Sequence, residues 1–90
     1  MDAGAHGIIA STVNTAEDAL NIVNAVRYPP LGIRGVGLSR AQGYGDQFDD
    51  YYKWVNKESI VIAQIEHKLG VENLEDIINV DGIECYFIGP

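Results

Sequence analysis

The chain has one cysteine, six basic residues and no long hydrophobic run, and each scarcity excludes a class of protein. A single cysteine, Cys85, cannot form an internal disulfide, which favours a reducing, cytoplasmic compartment. Because Cys85 lies in an apolar segment typical of a strand, we predict a buried, unreactive thiol. No apolar run approaches the ~20 residues that a membrane span requires, and the first residues lack the features of a signal peptide.

The low number of basic residues also limits the possible partners. Thirteen acidic residues against six basic ones give a formal net charge of −7 at pH 7. Nucleic acids and anionic membrane surfaces bind to basic proteins, so we expect neither as a partner. The chain has 90 residues, of which 47% are hydrophobic and 21% charged. This composition is typical of one small globular domain near the lower size limit for burying a core.

Apolar, strand-like segments alternate with amphipathic, helix-like segments along the chain. We predict strands over residues 7–11, 59–66 and 83–88, and later helices over residues 47–57 and 71–79. A first helix is predicted to begin after Asn14 and Thr15 and to end at the Tyr-Pro-Pro of residues 28–30. Five glycines between residues 31 and 46 predict a long loop. Strands alternating with crossover helices predict an α/β fold with a parallel sheet and right-handed connections.

The pattern also predicts which residues of the first strand and the last helix are buried. The first strand is apolar throughout, which is typical of a strand covered on both faces. In the last helix, we expect Leu74, Ile77 and Ile78 to face the core, because apolar residues at this spacing share one side of a helix.

The second strand ends in a glutamine and a glutamate two residues apart. Residues two apart on a strand face the same side, so Gln64 and Glu66 point together while Ile65 points away. In parallel α/β folds, functional groups collect at the carboxyl ends of strands, which here are residues 11–12, 64–66 and 89–90. A carboxylate and an amide together suit a hard metal ion or a substrate. The alternative is a glutamate that simply emerges into solvent.

Other polar and aromatic residues have a functional and a structural interpretation. Arg34, among glycines, is a candidate ligand for a phosphate or carboxylate, but a role in shaping the long loop is favoured. We interpret His67 as a loop residue, because it points away from Glu66, and His6 as a packed or surface residue. A group of aromatic residues is suited to local packing or to covering a partner subunit. Its members are Tyr44, Tyr51, Tyr52 and Trp54.

Three blocks of the sequence, residues 2–9, 13–19 and 26–37, strongly resemble the HpcH/HpaI aldolases. These include the 2-dehydro-3-deoxyglucarate and 4-hydroxy-2-oxoheptanedioate aldolases. The third block contains the specific sequence Tyr-Pro-Pro-x-Gly-Ile-Arg-Gly. Residues 64–66 and 87–90 continue the resemblance in register, so it covers nearly the whole chain. One departure is Ala10–Ser11, where many members have Val-Pro.

The resemblance implies a fold, a reaction and partners. Members are (β/α)8 TIM barrels of about 250 residues, and residues 1–90 resemble a partial barrel domain with about strands four to six. The implied function is that of a class II aldolase, a carbon–carbon lyase that cleaves 4-hydroxy-2-oxo acids to pyruvate and an aldehyde. The implied cofactor is magnesium, manganese or cobalt, which holds pyruvate as its enolate. A homo-oligomer is expected.

The resemblance also implies roles for individual residues. Glu66 matches a metal carboxylate of the family, Gln64 matches a residue that positions substrate, and Gly89 and Pro90 match a turn near bound pyruvate. The family's second metal carboxylate, its acid–base histidine and its enolate-binding arginine have no counterpart here, so the 90-residue chain alone is expected to be inactive. Two alternatives remain: a non-catalytic fragment that acts as an assembly unit, and a citryl- or malyl-type lyase. The Tyr-Pro-Pro block favours the aldolases.

Overall fold

A computed structural model describes all residues from 1 to 90 and contains a three-stranded parallel sheet. In chain order, the elements are β1 (Gly7–Ala10), α1 (Ala16–Val26), a short 3₁₀ helix (Arg40–Gly45), α2 (Phe48–Glu58), β2 (Ile60–Ile65), α3 (Lys68–Glu72), α4 (Leu74–Ile78) and β3 (Cys85–Ile88). β2 lies between β1 and β3 and pairs with both in parallel. The predicted alternation of parallel strands and helices is confirmed. None of the helices is long and apolar enough to cross a membrane.

The first helix begins where its capping sequence predicts. The backbone N–H of Asp18 donates to the Thr15 hydroxyl at 3.1 Å, and the backbone N–H of Thr15 donates to the Asp18 carboxylate at 3.2 Å. This reciprocal capping satisfies amide groups that a helix start leaves free. α1 ends at Val26, and Arg27 has an extended backbone. The Pro-Pro sequence that follows cannot continue a helix.

The hydrophobic core lies between the helices and one face of the sheet. Val61, Ala63 and Ile65 of β2 are each at most 1% exposed. Ala63 and Ile65 form the main core cluster with Ala19 of α1 and Ile77 of α4. Alternate residues of a strand face opposite sides, so the residues between them lie on the other face.

That other face of the sheet carries apolar side chains but no helix, and we call it the uncovered face. Ile9 is 59% exposed, Ile60 48% and Phe87 49%. Cys85 is also exposed, so the prediction of a buried thiol is wrong for this chain. Its partner in the ladder is Ile62, which places the cysteine on the uncovered face of an edge strand. For the same reason, the expectation that β1 is covered on both faces is wrong.

The last predicted helix is two short helices joined at Asn73. It begins earlier than predicted, because His67 caps α3 by accepting a hydrogen bond from the Leu69 backbone N–H at 3.0 Å. Ile77 is fully buried and Leu74 packs partly against the core, as expected. Ile78 is 51% exposed, contrary to the prediction. Adjacent helical residues are about 100° apart, so with Ile77 centred on the core, Ile78 turns toward solvent.

The predicted long loop contains the 3₁₀ helix, which the glycine pattern does not reveal. Gln42, which is fully buried, organises this segment. Its side-chain oxygen accepts from the Ser39 backbone N–H at 2.6 Å, and its side-chain nitrogen donates to the Gly37 carbonyl at 2.6 Å. A buried amide with both ends bonded fixes the path of a loop that has little apolar packing.

Arg27 joins three parts of the fold through its guanidinium, which is almost completely buried. It donates to the carbonyl of Val55 in α2, to the Ser59 hydroxyl and, at 3.1 Å, to the Ser59 carbonyl. It also pairs with Glu84 at 2.9 Å. Glu84 in turn accepts from the Val61 backbone N–H at 2.6 Å, at the start of β2. Arg27 therefore fixes the end of α1 against α2 and the sheet.

We expect Arg27→Ala to lower the free energy of unfolding by about 2–4 kcal/mol, because the buried carbonyl and hydroxyl acceptors lose their donor. The ion pair adds little, since the Glu84 side chain is 43% exposed. Urea unfolding followed by the fluorescence of Trp54, the only tryptophan, measures the change. Arg40→Ala is the control, because Arg40 is exposed and its loss is expected to cost less than about 0.5 kcal/mol. Equal effects of the two changes would contradict this role of Arg27.

We expect the 90-residue chain to self-associate. β1 and β3 are both edge strands, and an open edge beside an uncovered apolar face pairs readily with another chain. Sedimentation velocity is expected to show species heavier than the 9.8 kDa monomer. Phe87→Lys, on the uncovered face, should reduce association, whereas Leu20→Lys, on the outer side of α1, should not. A compact monomer at micromolar concentration would count against this expectation.

Candidate functional site

The carboxyl ends of all three strands meet at one edge of the sheet. Three residues after the end of β1, the Val13 backbone N–H donates to the Gln64 carbonyl at 3.0 Å. Immediately after β3, the Gly89 backbone N–H donates to the Ile65 carbonyl at 3.0 Å. These two bonds extend the parallel ladders beyond the strands and bring the three predicted strand ends together.

The Glu66 carboxylate lies at the centre of this edge. Its Oε1 accepts two hydrogen bonds from Thr12, from the backbone N–H at 2.8 Å and from the hydroxyl at 2.7 Å. Its Oε2 accepts one bond from the Gln64 side-chain nitrogen at 3.0 Å. Glu66 and Gln64 are half-buried, while Thr12 is exposed. The carboxylate is thus held in a fixed orientation rather than free in solvent.

The alternation of β2 explains why these two polar side chains converge. Ile65 is buried against the helices, so its neighbours Gln64 and Glu66 point to the uncovered face. Their direct hydrogen bond confirms the prediction that they lie on the same side.

Gly89 lies close against the two polar side chains. A Cβ at this position would lie 2.9 Å from Gln64 Nε2, 3.4 Å from Glu66 Cβ and 3.7 Å from Glu66 Oε2. Any residue larger than glycine would therefore displace the Gln64 amide. Pro90 follows and is exposed. The three strand ends therefore meet beside Glu66 Oε2, and we call this meeting point the notch.

The notch fits one ligand position of a hard metal ion. Carboxylate oxygens are preferred ligands of such ions, and Oε2 of Glu66 accepts only one hydrogen bond, from Gln64, which leaves it free to bind a cation. No group of three or more His, Cys, Asp or Glu side chains is placed to hold a metal within residues 1–90. Glu66 can thus be one ligand, and further ligands must come from water, substrate or other polypeptide segments.

The other candidate residues lie elsewhere and make structural contacts. Arg34 is a buried residue of the long loop, where it donates to the Tyr51 hydroxyl at 2.9 Å and pairs with Asp2. Its guanidinium lies 4.5 Å from the centre of the Tyr28 ring. Burial alone lowers the pKa of Arg34, but the hydrogen bonds to Asp2 and Tyr51 raise the pKa above its usual value. These contacts favour the structural interpretation of Arg34 over anion binding.

The histidines and aromatic residues also pack locally. His6 makes an edge-to-face contact with Trp54 at 5.3 Å between ring centres, and His67 is the cap of α3. Trp54 stacks on Tyr51 at 6.0 Å. Tyr44 is 69% exposed and outside this cluster. The predicted local packing accounts for all of them except Tyr44.

Thr12 is the residue that sequence reasoning left without a role. The sequence predicts a strand end at residues 11–12 but no contact of Thr12. Its backbone has a φ of 52°, a left-handed conformation that a β-branched residue rarely adopts. The feature of the sequence that indicates this role is a hydroxyl side chain just after β1, the strand that pairs with β2.

Comparison with known proteins gives relatives that are aldolases by name. Over 92 aligned residues, the chain is 45% identical to the hydroxypyruvate/pyruvate aldolase of Roseobacter denitrificans, and the alignment covers 100% of this chain and 36% of that protein. The identity is also 45% to the 2-keto-3-deoxy-L-rhamnonate aldolase of Salmonella paratyphi B, with 100% and 34% covered. The chain therefore spans about a third of the length of these curated relatives.

A solved structure gives the same family. The fold matches an HpcH/HpaI aldolase/citrate lyase family protein from Burkholderia cenocepacia with a TM-score of 0.87 and 37% identity, over 99% of this chain and 36% of that one. The sequence profile of the family matches residues 1–90. The chain belongs to the HpcH/HpaI aldolase/citrate lyase family.

Proposed function

We propose that residues 1–90 form part of a metal-dependent class II aldolase that cleaves 4-hydroxy-2-oxo acids to pyruvate and an aldehyde. The observation that carries this proposal is the Glu66 carboxylate, which is held by Thr12 and Gln64 at the carboxyl edge of a parallel sheet. This is the edge at which parallel α/β enzymes build their active sites. The two aldolase relatives support the reaction class.

In this proposal, the chain is a partial (β/α)8-barrel domain and supplies about the fourth to sixth strands. The uncovered face then corresponds to the barrel interior, which side chains from the other strands fill. Exposed apolar residues such as Ile9 and Phe87, and a length about a third of the relatives, support this assignment. The missing strands would come from a longer polypeptide, and the assembled enzyme would be a homo-oligomer.

Glu66 would hold the divalent ion, with magnesium, manganese or cobalt as candidates. When bound, such an ion acts as a Lewis acid that stabilises negative charge on a carbonyl substrate. Thr12 and Gln64 orient Glu66, and Gln64 retains a second N–H that can donate to a substrate oxygen. Gly89 and Pro90 would border the 2-oxo acid, because Gly89 lies next to Glu66 Oε2.

A second candidate is that the 90-residue chain is a non-catalytic assembly unit. The uncovered face and two open sheet edges favour association, and no set of three metal-binding side chains lies within the chain. A citryl- or malyl-type lyase is the enzymatic alternative, since the family description includes citrate lyase. Substrate tests distinguish these possibilities, because only the aldolase releases pyruvate from a 4-hydroxy-2-oxo acid.

The tests need a polypeptide that joins residues 1–90 to the remaining strands, which we call the complete barrel. It is the full-length protein that carries these residues, or a chimera in which they replace the aligned segment of the Roseobacter aldolase. Pyruvate release is followed with lactate dehydrogenase and NADH. Cleavage of a citryl or malyl thioester, without pyruvate release, would favour the citryl- or malyl-type lyase.

In the complete barrel, we expect Glu66→Gln to reduce metal-dependent pyruvate release by more than about 100-fold, because loss of a direct ligand exceeds the cost of losing its outer partners. Glu72→Gln is the matched control. The Glu72 side chain is 56% exposed on α3 and pairs with Lys68 at 3.8 Å, so the activity of this variant should equal that of the wild type. An active Glu66→Gln variant would remove Glu66 from the metal site.

The 90-residue chain alone is expected to release no pyruvate above the rate with free metal ion. Acid–base groups, which contribute roughly 10²- to 10⁴-fold to a rate, would come from the other strands. The assay is the same, with and without added Mg²⁺, Mn²⁺ or Co²⁺. Metal-dependent cleavage by the isolated chain, lost on Glu66→Gln, would refute the assignment as a partial barrel.

A further inference from the structure

We propose that Thr12 is a positioning residue that holds the Glu66 carboxylate with Oε2 free for a divalent cation. Thr12 would thereby set the affinity of the notch for that cation. This inference rests on the proposed role of Glu66 as a metal ligand, and it assigns to Thr12 a function that neither the sequence motifs nor the family resemblance supplied.

The two oxygens of Glu66 are in unequal surroundings. Oε1 accepts from both the backbone N–H and the hydroxyl of Thr12, at 2.8 and 2.7 Å. These distances are typical of charge-assisted hydrogen bonds. Because these two hydrogen bonds occupy both lone pairs of Oε1, this oxygen has no lone pair left for a cation. Oε2 accepts only from Gln64, at 3.0 Å, and lies next to Gly89, where a Cβ would be 3.7 Å from it.

The backbone at Thr12 is shaped for this contact. Its φ of 52° is rare for a β-branched residue, and such conformations concentrate at functional sites. The turn directs the Thr12 N–H out of the sheet ladder and toward Glu66. The next N–H, of Val13, returns to the ladder and donates to the Gln64 carbonyl at 3.0 Å. A single residue therefore places two donors on the same oxygen.

No charged side chain contacts Glu66. The ion pairs of the chain are Arg27–Glu84, Arg34–Asp2 and Lys68–Glu72, and none includes Glu66. The donors that contact Glu66, from Thr12 and Gln64, are all uncharged. A cation that binds Glu66 therefore meets no lysine or arginine that competes for the carboxylate.

The test measures Mn²⁺ binding to the complete barrel directly, from the electron paramagnetic resonance signal of free Mn²⁺ and without substrate. Thr12→Val keeps the shape of the side chain and removes its hydroxyl donor. We expect its dissociation constant for Mn²⁺ to rise about 10- to 100-fold, the usual effect of losing a partner that orients a metal ligand. Thr12→Ser keeps the hydroxyl, and its constant is expected to stay within about threefold of the wild type.

Thr12→Ala provides the same test if valine disturbs the left-handed backbone. It lacks both the hydroxyl and the branched side chain, so its constant is expected to rise as for valine, and the melting temperature of each variant reports on folding. Unchanged Mn²⁺ binding by a folded Thr12→Ala variant, or equal losses in Thr12→Ser and Thr12→Ala, would overturn the role of the hydroxyl. Glu66→Gln separates the two proposals. If it binds Mn²⁺ like the wild type, the proposed metal role of Glu66 fails. If only Glu66→Gln weakens binding, the role of Thr12 alone fails.

Discussion

The central position of β2 in a parallel sheet is the constraint on which the rest of the structure depends. Both neighbouring strands pair with β2 in parallel. Because side chains alternate along a strand, those of β2 point in turn to the face covered by helices and to the uncovered face. Ala63 and Ile65 anchor α1 and α4 on the first face. The same alternation places Gln64 and Glu66 on the second face, at the edge where all three strands end. Core packing and site geometry are thus two results of one register.

Stabilising contacts lie at one end of the sheet and the candidate site lies at the other. At the amino ends, Arg27 donates buried hydrogen bonds to Val55 and Ser59 and reaches β2 through Glu84. Arg34 holds the long loop against Asp2 and the aromatic residues. At the carboxyl ends, Thr12 donates two hydrogen bonds to Glu66 at the notch. In barrels of parallel strands, stability and chemistry are divided between opposite faces in this way. Both arginines contribute to the fold, and neither reaches the candidate site.

The uncovered face explains why the predicted burial of Cys85 and of both faces of β1 is wrong. Strands of a parallel sheet covered on both sides are apolar throughout, and β1 and β3 have that composition. The apolar composition correctly predicted strands, yet Cys85 and Ile9 are exposed in the 90-residue chain. Burial depends on whether another layer is present, and the composition of a strand carries no information about which polypeptide supplies that layer.

Local sequence determined the order of strands and helices, the start of α1 after Asn14 and Thr15, and the common direction of Gln64 and Glu66, because each follows from spacing within a few residues. The family assignment also came from short motifs. Only the tertiary structure decided the break at Asn73 and the hold of Thr12 on Glu66, a contact between residues 54 positions apart. Such contacts depend on which strands are neighbours in the sheet and on the direction in which the backbone of a turn orients an N–H group. Periodicity fixes which face a side chain takes, but only packing in three dimensions fixes what it meets there.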